Sequence, residues 1–329
     1  MDFPDFSLDN SLLEKAKEPE QKITYDLLIL GGGPAAMSAA VYAARKMMNI
    51  AIITKDFGGQ IRETSEVENW LGFQSINAKD LADNFEEHVK GFDIPVSLGT
   101  SITEVKKEGD VFKVLTADNI MYSSRTLIIA TGKRHRPLNV PGENELLGRG
   151  VAYCATCDAP FFKEKKVVVA GGGNSAFTTA MDLLKVGADV TLVNFIKGWQ
   201  ADESFQERIK QTGKVRLLDF HQIVKIEGKE SVEGVVVRNM ENDTEKKLQA
   251  NGVFIEVGLF PNNEPIKNLV ELNEHGEIIV DCSCKTNVEG LFGAGDVTIV
   301  PHKQIVISAG EGAKAALSAY DYLINKSII

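Results

Sequence analysis

Residues 25–36, YDLLILGGGPAA, and residues 166–176, KVVVAGGGNSA, share one pattern: a short apolar run, three glycines and a run of small residues. In each, the apolar run predicts a buried parallel strand, and the glycines predict a tight turn into a helix. A second apolar strand completes each unit, so the two units span residues 25–54 and 166–195. The chain therefore carries twice a strand–turn–helix–strand unit of the kind that binds a dinucleotide.

The second copy interrupts the first. A third glycine turn, in GLFGAGDVT at residues 290–298, follows the second copy and resembles the end of a dinucleotide-binding domain. The simplest topology is an α/β fold of two three-layer, Rossmann-like dinucleotide-binding domains, with the second inserted into the first. The connections between them are predicted at residues 130–137 and 256–263. Within the second copy, a turn is predicted at residues 227–228 and a buried strand at residues 252–258.

Composition limits the class of protein. The chain has 329 residues, 43% of them hydrophobic, and a net charge of −10, which fits two globular domains and argues against a general nucleic-acid binder. Residues 1–22 are polar and acidic, unlike a secretory signal, and no apolar run has the length of a membrane helix. We therefore expect a cytoplasmic protein with no membrane partner, whose four cysteines are catalytic or metal-binding rather than a disulfide framework.

The first glycine turn has the residues of a pyrophosphate site. Glycines allow a tight turn and close approach of the backbone to the ligand, and the helix that follows presents its N–H groups. The alternative is a glycine-rich turn with no ligand. The predicted binding residues of this turn are Gly31, Gly33, Pro34, Ala35 and Ala36.

A further glycine turn contains Gly295 and Asp296. An aspartate at this position is suited to accept a hydrogen bond from a ribityl hydroxyl. The alternative, an Asx-type helix cap, is compatible with that role.

The second glycine turn, at residues 171–176, lacks the expected ribose grip. An acid for NAD, or an arginine for NADP, is expected at the end of the following strand. The chain has Asn194, Phe195 and Ile196 there, and Lys197 is the nearest cation. A 2′-phosphate is best held by bidentate guanidinium groups, so the site predicts weak binding of NADPH.

Aromatic residues surround this second site. Phe177, Phe195 and Trp199 are either ordinary core residues or the filling of a vacated nucleotide pocket. We expect at least one of them to be a core residue.

The stretch CATCD predicts a redox-active disulfide. A C-x-x-C pair in a cytosolic α/β chain forms a small, reducible ring, so Cys154 and Cys157 are candidate catalytic thiols and Asp158 a candidate proton shuttle. Zinc binding would need two more ligands, which Cys282 and Cys284 supply only across a long separation. We therefore predict no metal site.

Eight motifs together resemble the low-molecular-weight thioredoxin reductase family. The resemblance covers nearly the whole chain beyond residue 22 and includes CATCD shortly upstream of GGGNSA. The motifs are GGGPAA, GGQ (58–60), EVENW (66–70), ATG (130–132), CATCDAPFF (154–162), GGGNSA, GAGD and KQIVISAGEGAKAALSAYDYL (303–323).

The resemblance implies a homodimeric flavoprotein that reduces thioredoxin. Residues 1–22 are then an extension, 23–134 and 256–329 a discontinuous FAD-binding domain, and 135–255 an inserted pyridine-nucleotide-type domain. It also implies that Cys157 faces the flavin, that Cys154 attacks the thioredoxin disulfide, and that Asp158 is the acid/base. The implied FAD contacts are Gly31, Gly33, Pro34, Ala35, Ala36, Gly59, Gln60, Asn69, Thr131, Gly132, Gly295, Asp296 and Gln304.

The chain departs from this family at its electron donor. NADPH-dependent members have a histidine-arginine-arginine stretch where this chain has Asn194, Phe195 and Ile196, and an arginine where it has Gln200. In this respect the chain resembles the ferredoxin-dependent flavin branch, whose acidic donor would dock on a basic surface such as residues 133–136. The alternatives are a thioredoxin reductase using NADPH or NADH with an atypical pocket, or a flavin-bearing redox sensor, which would have no need of the dithiol.

Overall fold

The computed structural model describes residues 17–63, 66, 67, 69–153 and 155–328. Most of the predicted extension at 1–22, and Cys154, lie outside the described residues. Of Cys157 the backbone alone is described, as part of a short helix.

The helices and strands alternate along most of the chain. The α-helices are α1 (Pro34–Arg45), α2 (Ala78–Lys90), α3 (Ala155–Asp158), α4 (Asn174–Lys185), α5 (Glu203–Thr212) and α6 (Ile305–Asn325), and 3₁₀ turns cover Gly59–Glu63 and Ala159–Phe162. The strands are β1 (Thr24–Leu30), β2 (Ile50–Thr54), β3 (Glu66–Val67), β4 (Ile76–Asn77), β5 (Val96–Leu98), β6 (Ile102–Glu108), β7 (Val111–Thr116), β8 (Met121–Ile129), β9 (Lys133–His135), β10 (Val151–Ala152), β11 (Lys166–Ala170), β12 (Asp189–Val193), β13 (Val215–Leu218), β14 (His221–Gly228), β15 (Val232–Asn239), β16 (Glu245–Gln249), β17 (Gly252–Ile255), β18 (Leu259–Pro261) and β19 (Leu291–Gly293).

The chain divides into two compact units. The first consists of Met1–Gly59, Ala82–Gly132 and Pro261–Ile329, and the second of Gln60–Leu81 and Lys133–Phe260. The second unit is therefore inserted in the sequence of the first.

The first unit is built on a mixed sheet. Within the described residues its strands run in the order β5-β2-β1-β8-β7-β6, with β1, β2, β5 and β8 parallel and β6 and β7 antiparallel. Strand β8 changes its outer partner along its length: residues 121–124 pair with β7, and residues 127–129 pair with β19. Strand β19, from the C-terminal part of the chain, thus completes the parallel half of the sheet.

Alternation along β1 builds two cores. Successive side chains of a strand point to opposite faces. Leu27 and Ile29 belong to the cluster under α1 and α6, whereas Leu28 and Leu30 belong to the cluster on the opposite face, with Phe112 of β7. Both faces are buried, which explains why β1 is a continuous apolar run.

The second unit has a parallel sheet in the order β10-β17-β11-β12-β13. Helix α4 covers one face, where Phe177 and Leu183 pack with Phe254. The antiparallel sheet β14-β15-β16 covers the other, through residues such as Val235 and Val237. The unit therefore has three layers around one buried sheet.

The prediction of an α/β fold with two Rossmann-like sheets is confirmed. Two local predictions were wrong. Strand β14 continues through Glu227 and Gly228, where a turn was expected. The strand expected at 252–258 ends at Ile255, because Glu256 begins a turn in which Gly258 has φ +101°. Within the described residues, no helix is both long and apolar enough to cross a membrane.

Candidate functional site

The two glycine turns have the same backbone geometry. The amide of Gly31 donates to the carbonyl of Ile53 at 2.9 Å, and the amide of Gly171 donates to that of Val193 at 2.9 Å. Both glycines have positive φ, +122° and +144°. A side chain at either position would overlap a neighbouring carbonyl oxygen, that of Ala130 or that of Glu256 respectively. Glycine is therefore required at the first position of both turns.

The first turn can accept an anion. Helix α1 starts after Gly33 with no side-chain cap and no acidic residue in its first turn, so its N–H groups are available to a ligand. Apart from its chain neighbours, no described residue has an atom within 4 Å of the position that a Cβ on Gly33 would occupy. Pro34 is the first helical residue, and Ala35 and Ala36 are buried. This open cradle fits the pyrophosphate of a dinucleotide.

Strand β8 leads into the same edge of the sheet. Thr131 donates its hydroxyl to the carbonyl of Asn262 at 2.7 Å, and Asn262 returns its side-chain amide to the carbonyl of Thr131 at 2.8 Å. The backbone amide of Asn262 donates to the carbonyl of Gly132 at 3.0 Å. Asn262 was not predicted as a site residue, although it stands in the predicted connection at 256–263.

The turn after β19 holds two carboxylates. Asp296 accepts a hydrogen bond from the Ser308 hydroxyl at 3.0 Å, while the N-cap of α6 is Gln304, so Asp296 does not cap that helix. Glu311 accepts the amide of Gly295 at 2.9 Å, and burial raises the pKa of Glu311. Sequence reasoning did not identify Glu311, whose only signal is a charged residue in an apolar helix face.

The remaining predicted FAD contacts lie in both units. Gly59 has φ +53° and belongs to the first unit. Gln60 donates its side-chain amide to the carbonyl of Lys133 at 2.7 Å, and this pair and the exposed Asn69 belong to the second unit. Gln304 is exposed at the start of α6 in the first unit.

At the second turn, the ribose position is filled by the chain itself. Asn194 is 2% exposed, and its amide nitrogen donates to the carbonyls of Ile196 at 2.6 Å and Gly198 at 2.8 Å. The carbonyl of Gly172 accepts the amides of Gln200 and Ala201, both at 2.9 Å. The loop therefore closes on its own glycine turn, and the side-chain amide of Asn194 is already occupied.

The same loop holds an internal anion. The carboxylate of Asp219, at the end of β13, accepts the amide of Gly198 at 3.0 and 3.1 Å and the side chain of Asn194 at 3.2 Å. Lys197, the one cation among residues 194–202, pairs with Glu241 at 2.7 Å. The surroundings of the expected 2′-phosphate position are thus acidic. Asp219 was missed because nothing in the sequence around it marks a site.

The aromatic residues near this loop have different environments. Phe177 is 1% exposed and meets Trp199 edge to face, with ring centroids 5.4 Å apart. Phe195 is 54% exposed. Phe177 is therefore a core residue, as expected for at least one of the three, whereas the exposed Phe195 is not a buried filling of the site.

A carboxyl group lies beside the second turn at the end of β17. Glu256 accepts the hydroxyl of Thr179, on α4, at 2.8 Å. Burial raises the pKa of Glu256, and the hydrogen bonds from Thr179 and Ser175, together with nearby His135, oppose this rise. Sequence reasoning missed Glu256, although aligning ATG (130–132) with EVG (256–258) across the internal repeat would have found it.

The dithiol motif begins just after β10. The residue before Cys154, Tyr153, donates its hydroxyl to Glu143 at 2.6 Å, and its ring lies 4.9 Å from that of His135. Asp158 ends helix α3, and burial raises the pKa of its carboxyl group. A carboxyl group that keeps its proton to higher pH is suited to donate that proton to a thiolate.

The other two cysteines are unlike a reactive pair. Cys282 is exposed, and burial raises the pKa of the Cys284 thiol to about 12. In the part of the chain that the structure describes, no group of three or more potential metal ligands comes together.

Comparison with known proteins identifies the family. The sequence matches the family described as Pyridine nucleotide-disulphide oxidoreductase over residues 25–317. The chain belongs to the pyridine nucleotide-disulphide oxidoreductase family. Proteins of this family and the related thioredoxin reductases bind FAD, which confirms the predicted cofactor.

Similar sequences within the pyridine nucleotide-disulphide oxidoreductase family include the alkyl hydroperoxide reductases. The chain is 41% identical over 309 residues to the alkyl hydroperoxide reductase flavoenzyme-family relative of Staphylococcus aureus (strain MSSA476), an alignment that covers 94% of this chain and 61% of that protein. The chain thus spans about three fifths of the length of the curated relatives it matches.

Solved thioredoxin reductases share the fold. That of Streptococcus pyogenes has 36% identity and a TM-score of 0.75, covering 92% of this chain and 99% of that one. That of Lactococcus lactis, in its FR conformation, has 34% identity and a TM-score of 0.73, covering 92% and 100%. The expected likeness to thioredoxin reductases is therefore confirmed at the level of the fold.

Proposed function

We propose that this protein is a homodimeric, FAD-dependent disulfide reductase that passes electrons from reduced ferredoxin to Cys154–Cys157 and then to thioredoxin. In this assignment the first unit is the FAD domain and the second is a former pyridine-nucleotide domain that carries the dithiol. Two one-electron donors and two protons convert one disulfide into two thiols, so the overall reaction balances.

The closed loop at the second glycine turn carries the choice of donor. Asn194 binds its own loop, Asp219 places a carboxylate there, and Lys197 is paired with Glu241. A 2′-phosphate entering this loop would find no guanidinium group in it, because residues 194–202 contain no arginine. Each hydrogen bond to a charged group that is lost costs about 1.5–3 kcal/mol, so binding of NADPH weakens by orders of magnitude.

A basic surface supports an acidic protein donor. Arg134 and Arg136 are exposed, and their guanidinium carbons lie 5.8 and 4.2 Å from the centre of the Phe260 ring. Complementary charge steers a protein partner and raises its rate of association. This surface is the proposed dock for ferredoxin.

The residues have separate tasks. The open turn at Gly31 and Gly33, with the start of α1, would hold the pyrophosphate of FAD, and Asp296 would accept a ribityl hydroxyl. FAD, when bound, supplies the conversion between one-electron and two-electron chemistry. Cys154 attacks the disulfide of thioredoxin, and Asp158 holds the proton that the released thiolate takes up.

The deciding experiment compares donors without oxygen. The purified yellow protein is mixed separately with reduced ferredoxin, NADPH and NADH, and the flavin absorbance is followed. We expect ferredoxin alone to bleach the flavin rapidly. Rapid bleaching by NADPH or NADH at micromolar concentration would overturn the proposed donor.

A second candidate is an NAD(P)H-dependent reductase. The open space at Gly173 and the uncapped start of α4 favour it, since both match the first turn. Its acceptor is thioredoxin or, by analogy with the alkyl hydroperoxide reductase of Staphylococcus aureus, a peroxide-reducing partner. The donor comparison separates this candidate from the first.

Replacing the acid of the dithiol motif should change the pH profile. We expect Asp158→Asn to slow thioredoxin reduction by roughly 10²–10⁴-fold, the usual contribution of a general acid. Because burial raises the pKa of Asp158, the wild-type rate should fall as pH rises through that pKa, and this fall should be absent in the variant. The measurement is the steady-state rate against pH.

Asp189→Asn is the matched control for this change. Asp189 is exposed at the amino end of β12, at the opposite edge of the same sheet. Its replacement should leave the rate and its pH dependence unchanged. A wild-type pH profile in Asp158→Asn would remove Asp158 from the mechanism.

A further inference from the structure

We propose that Glu256 is a specificity-determining residue that keeps pyridine dinucleotides out of the second glycine turn. This inference rests on the proposed function, in which the second unit no longer takes a nucleotide donor. It concerns a residue remote from the loop at Asn194, so the two features act separately.

Glu256 stands at the place where such sheets bind ligands. From β11 the chain proceeds through β12 and β13 on one side of the sheet, whereas β17 and β10 lie on the other. Ligands of open α/β sheets bind outside the carboxyl ends of the strands where the order reverses, which here is between β11 and β17. Gly171 is the first residue after β11, and Glu256 is the first after β17.

The side chain of Glu256 is directed along the helix that follows the turn. It accepts the hydroxyl of Thr179 at 2.8 Å and a further hydrogen bond from Ser175, both on α4. Ser175 is in the first turn of that helix, next to the N–H groups that would receive a pyrophosphate. The carboxyl group therefore lies beside the anion position.

The first copy of the unit provides an internal comparison. The amide of Glu256 donates to the carbonyl of Ala170 at 2.8 Å, and the amide of Ala130 donates to the carbonyl of Leu30 at 2.8 Å. Glu256 and Ala130 thus occupy the same place relative to their glycine turns. The copy assigned to FAD has a methyl group there, and the other copy has a carboxyl group.

The carboxylate counteracts the attraction of the helix end. The start of an α-helix favours a negative ligand, and a like charge beside the same position opposes it. A pyrophosphate carries two negative charges, so this opposition acts on every dinucleotide, with or without a 2′-phosphate. Glu256 would thus exclude NADH as well as NADPH.

Ligand binding tests this proposal without reference to activity. ADP-ribose and inorganic pyrophosphate are titrated calorimetrically into the FAD-loaded full chain at pH 8.5 and low ionic strength, where the carboxyl group is more fully ionised. The variants are Glu256→Gln, which keeps an acceptor for Thr179, and Glu256→Ala, which restores the residue of the first copy. Both should bind each probe at least tenfold more tightly than wild type, and the gain should shrink in 0.5 M salt.

Glu233→Gln is the control, because Glu233 is an exposed carboxylate on β15 of the separate three-stranded sheet. It should bind both probes as wild type does. If both Glu256 variants retain their flavin and also bind as wild type does, the proposal is overturned. Rapid flavin reduction of the wild type by NADPH would instead overturn the proposed function, so the two failures are distinguishable.

Discussion

Cys154→Ser is expected to abolish thioredoxin reduction while leaving reduction of the flavin by its donor within about twofold of wild type. Cys154 is assigned as the thiol that attacks the substrate disulfide, and serine at this position is a poor nucleophile at neutral pH. Removing a catalytic nucleophile costs roughly 10⁴-fold or more in rate. The measurements are turnover with thioredoxin and anaerobic bleaching of the flavin.

The matched control for this loss is Cys282→Ser, which removes an exposed cysteine outside the C-x-x-C pair. It should retain full turnover. If Cys154→Ser also retains turnover, the attacking thiol is another residue, and the roles of Cys154 and Cys157 must be reassigned.

Gly33→Asp is expected to yield a folded protein that purifies without FAD. The backbone at Gly33, with φ −79° and ψ −175°, is open to any residue, and a Cβ there would meet no described residue within 4 Å beyond its chain neighbours. Aspartate is a favoured residue at the start of a helix, so α1 should still form. Its carboxylate would occupy the pyrophosphate position; losing two charge-assisted hydrogen bonds at about 1.5–3 kcal/mol each weakens FAD binding by roughly 10²–10⁴-fold.

Gly173→Asp makes the same change in the second copy. Gly173 has nearly the same backbone, with φ −93° and ψ −176°, and equally open surroundings. With ferredoxin as donor, this variant should keep its FAD and its full rate. FAD content and turnover are measured for both variants in parallel. Loss of turnover with FAD retained in Gly173→Asp would show that the second turn binds the donor, and FAD retained in Gly33→Asp would exclude the first turn as the pyrophosphate site.

The fold could be predicted because its turns require particular residues. Gly31 and Gly171 stand where a side chain would overlap the neighbouring strand, so a glycine pattern between an apolar run and a helix-forming run indicates a specific turn. Two such patterns, with a third glycine turn after them, were enough to predict an inserted second unit. The ends of β14 and β17 were predicted less well, since strand pairing rather than local sequence determines where a strand stops.

The second site shows what one sequence does not reveal. The missing arginines around Asn194 were visible, because a motif predicts which residues belong there. Asp219 was not, because it reaches Asn194 across 25 positions through the pairing of β12 with β13. Glu256 reaches Thr179 across 77 positions in the same way. Contacts made by neighbouring strand ends become apparent only when the order of the strands is known.

The change of partner along β8 sets an order for synthesis of the protein. The ribosome produces β1, α1 and β8 first, but β19 and α6, which complete that sheet and its helical layer, follow only after the whole second unit. The nascent first unit therefore has an unpaired strand edge at residues 127–129 while the second unit emerges. Its flavin cradle matures last, although its glycine turn is made first.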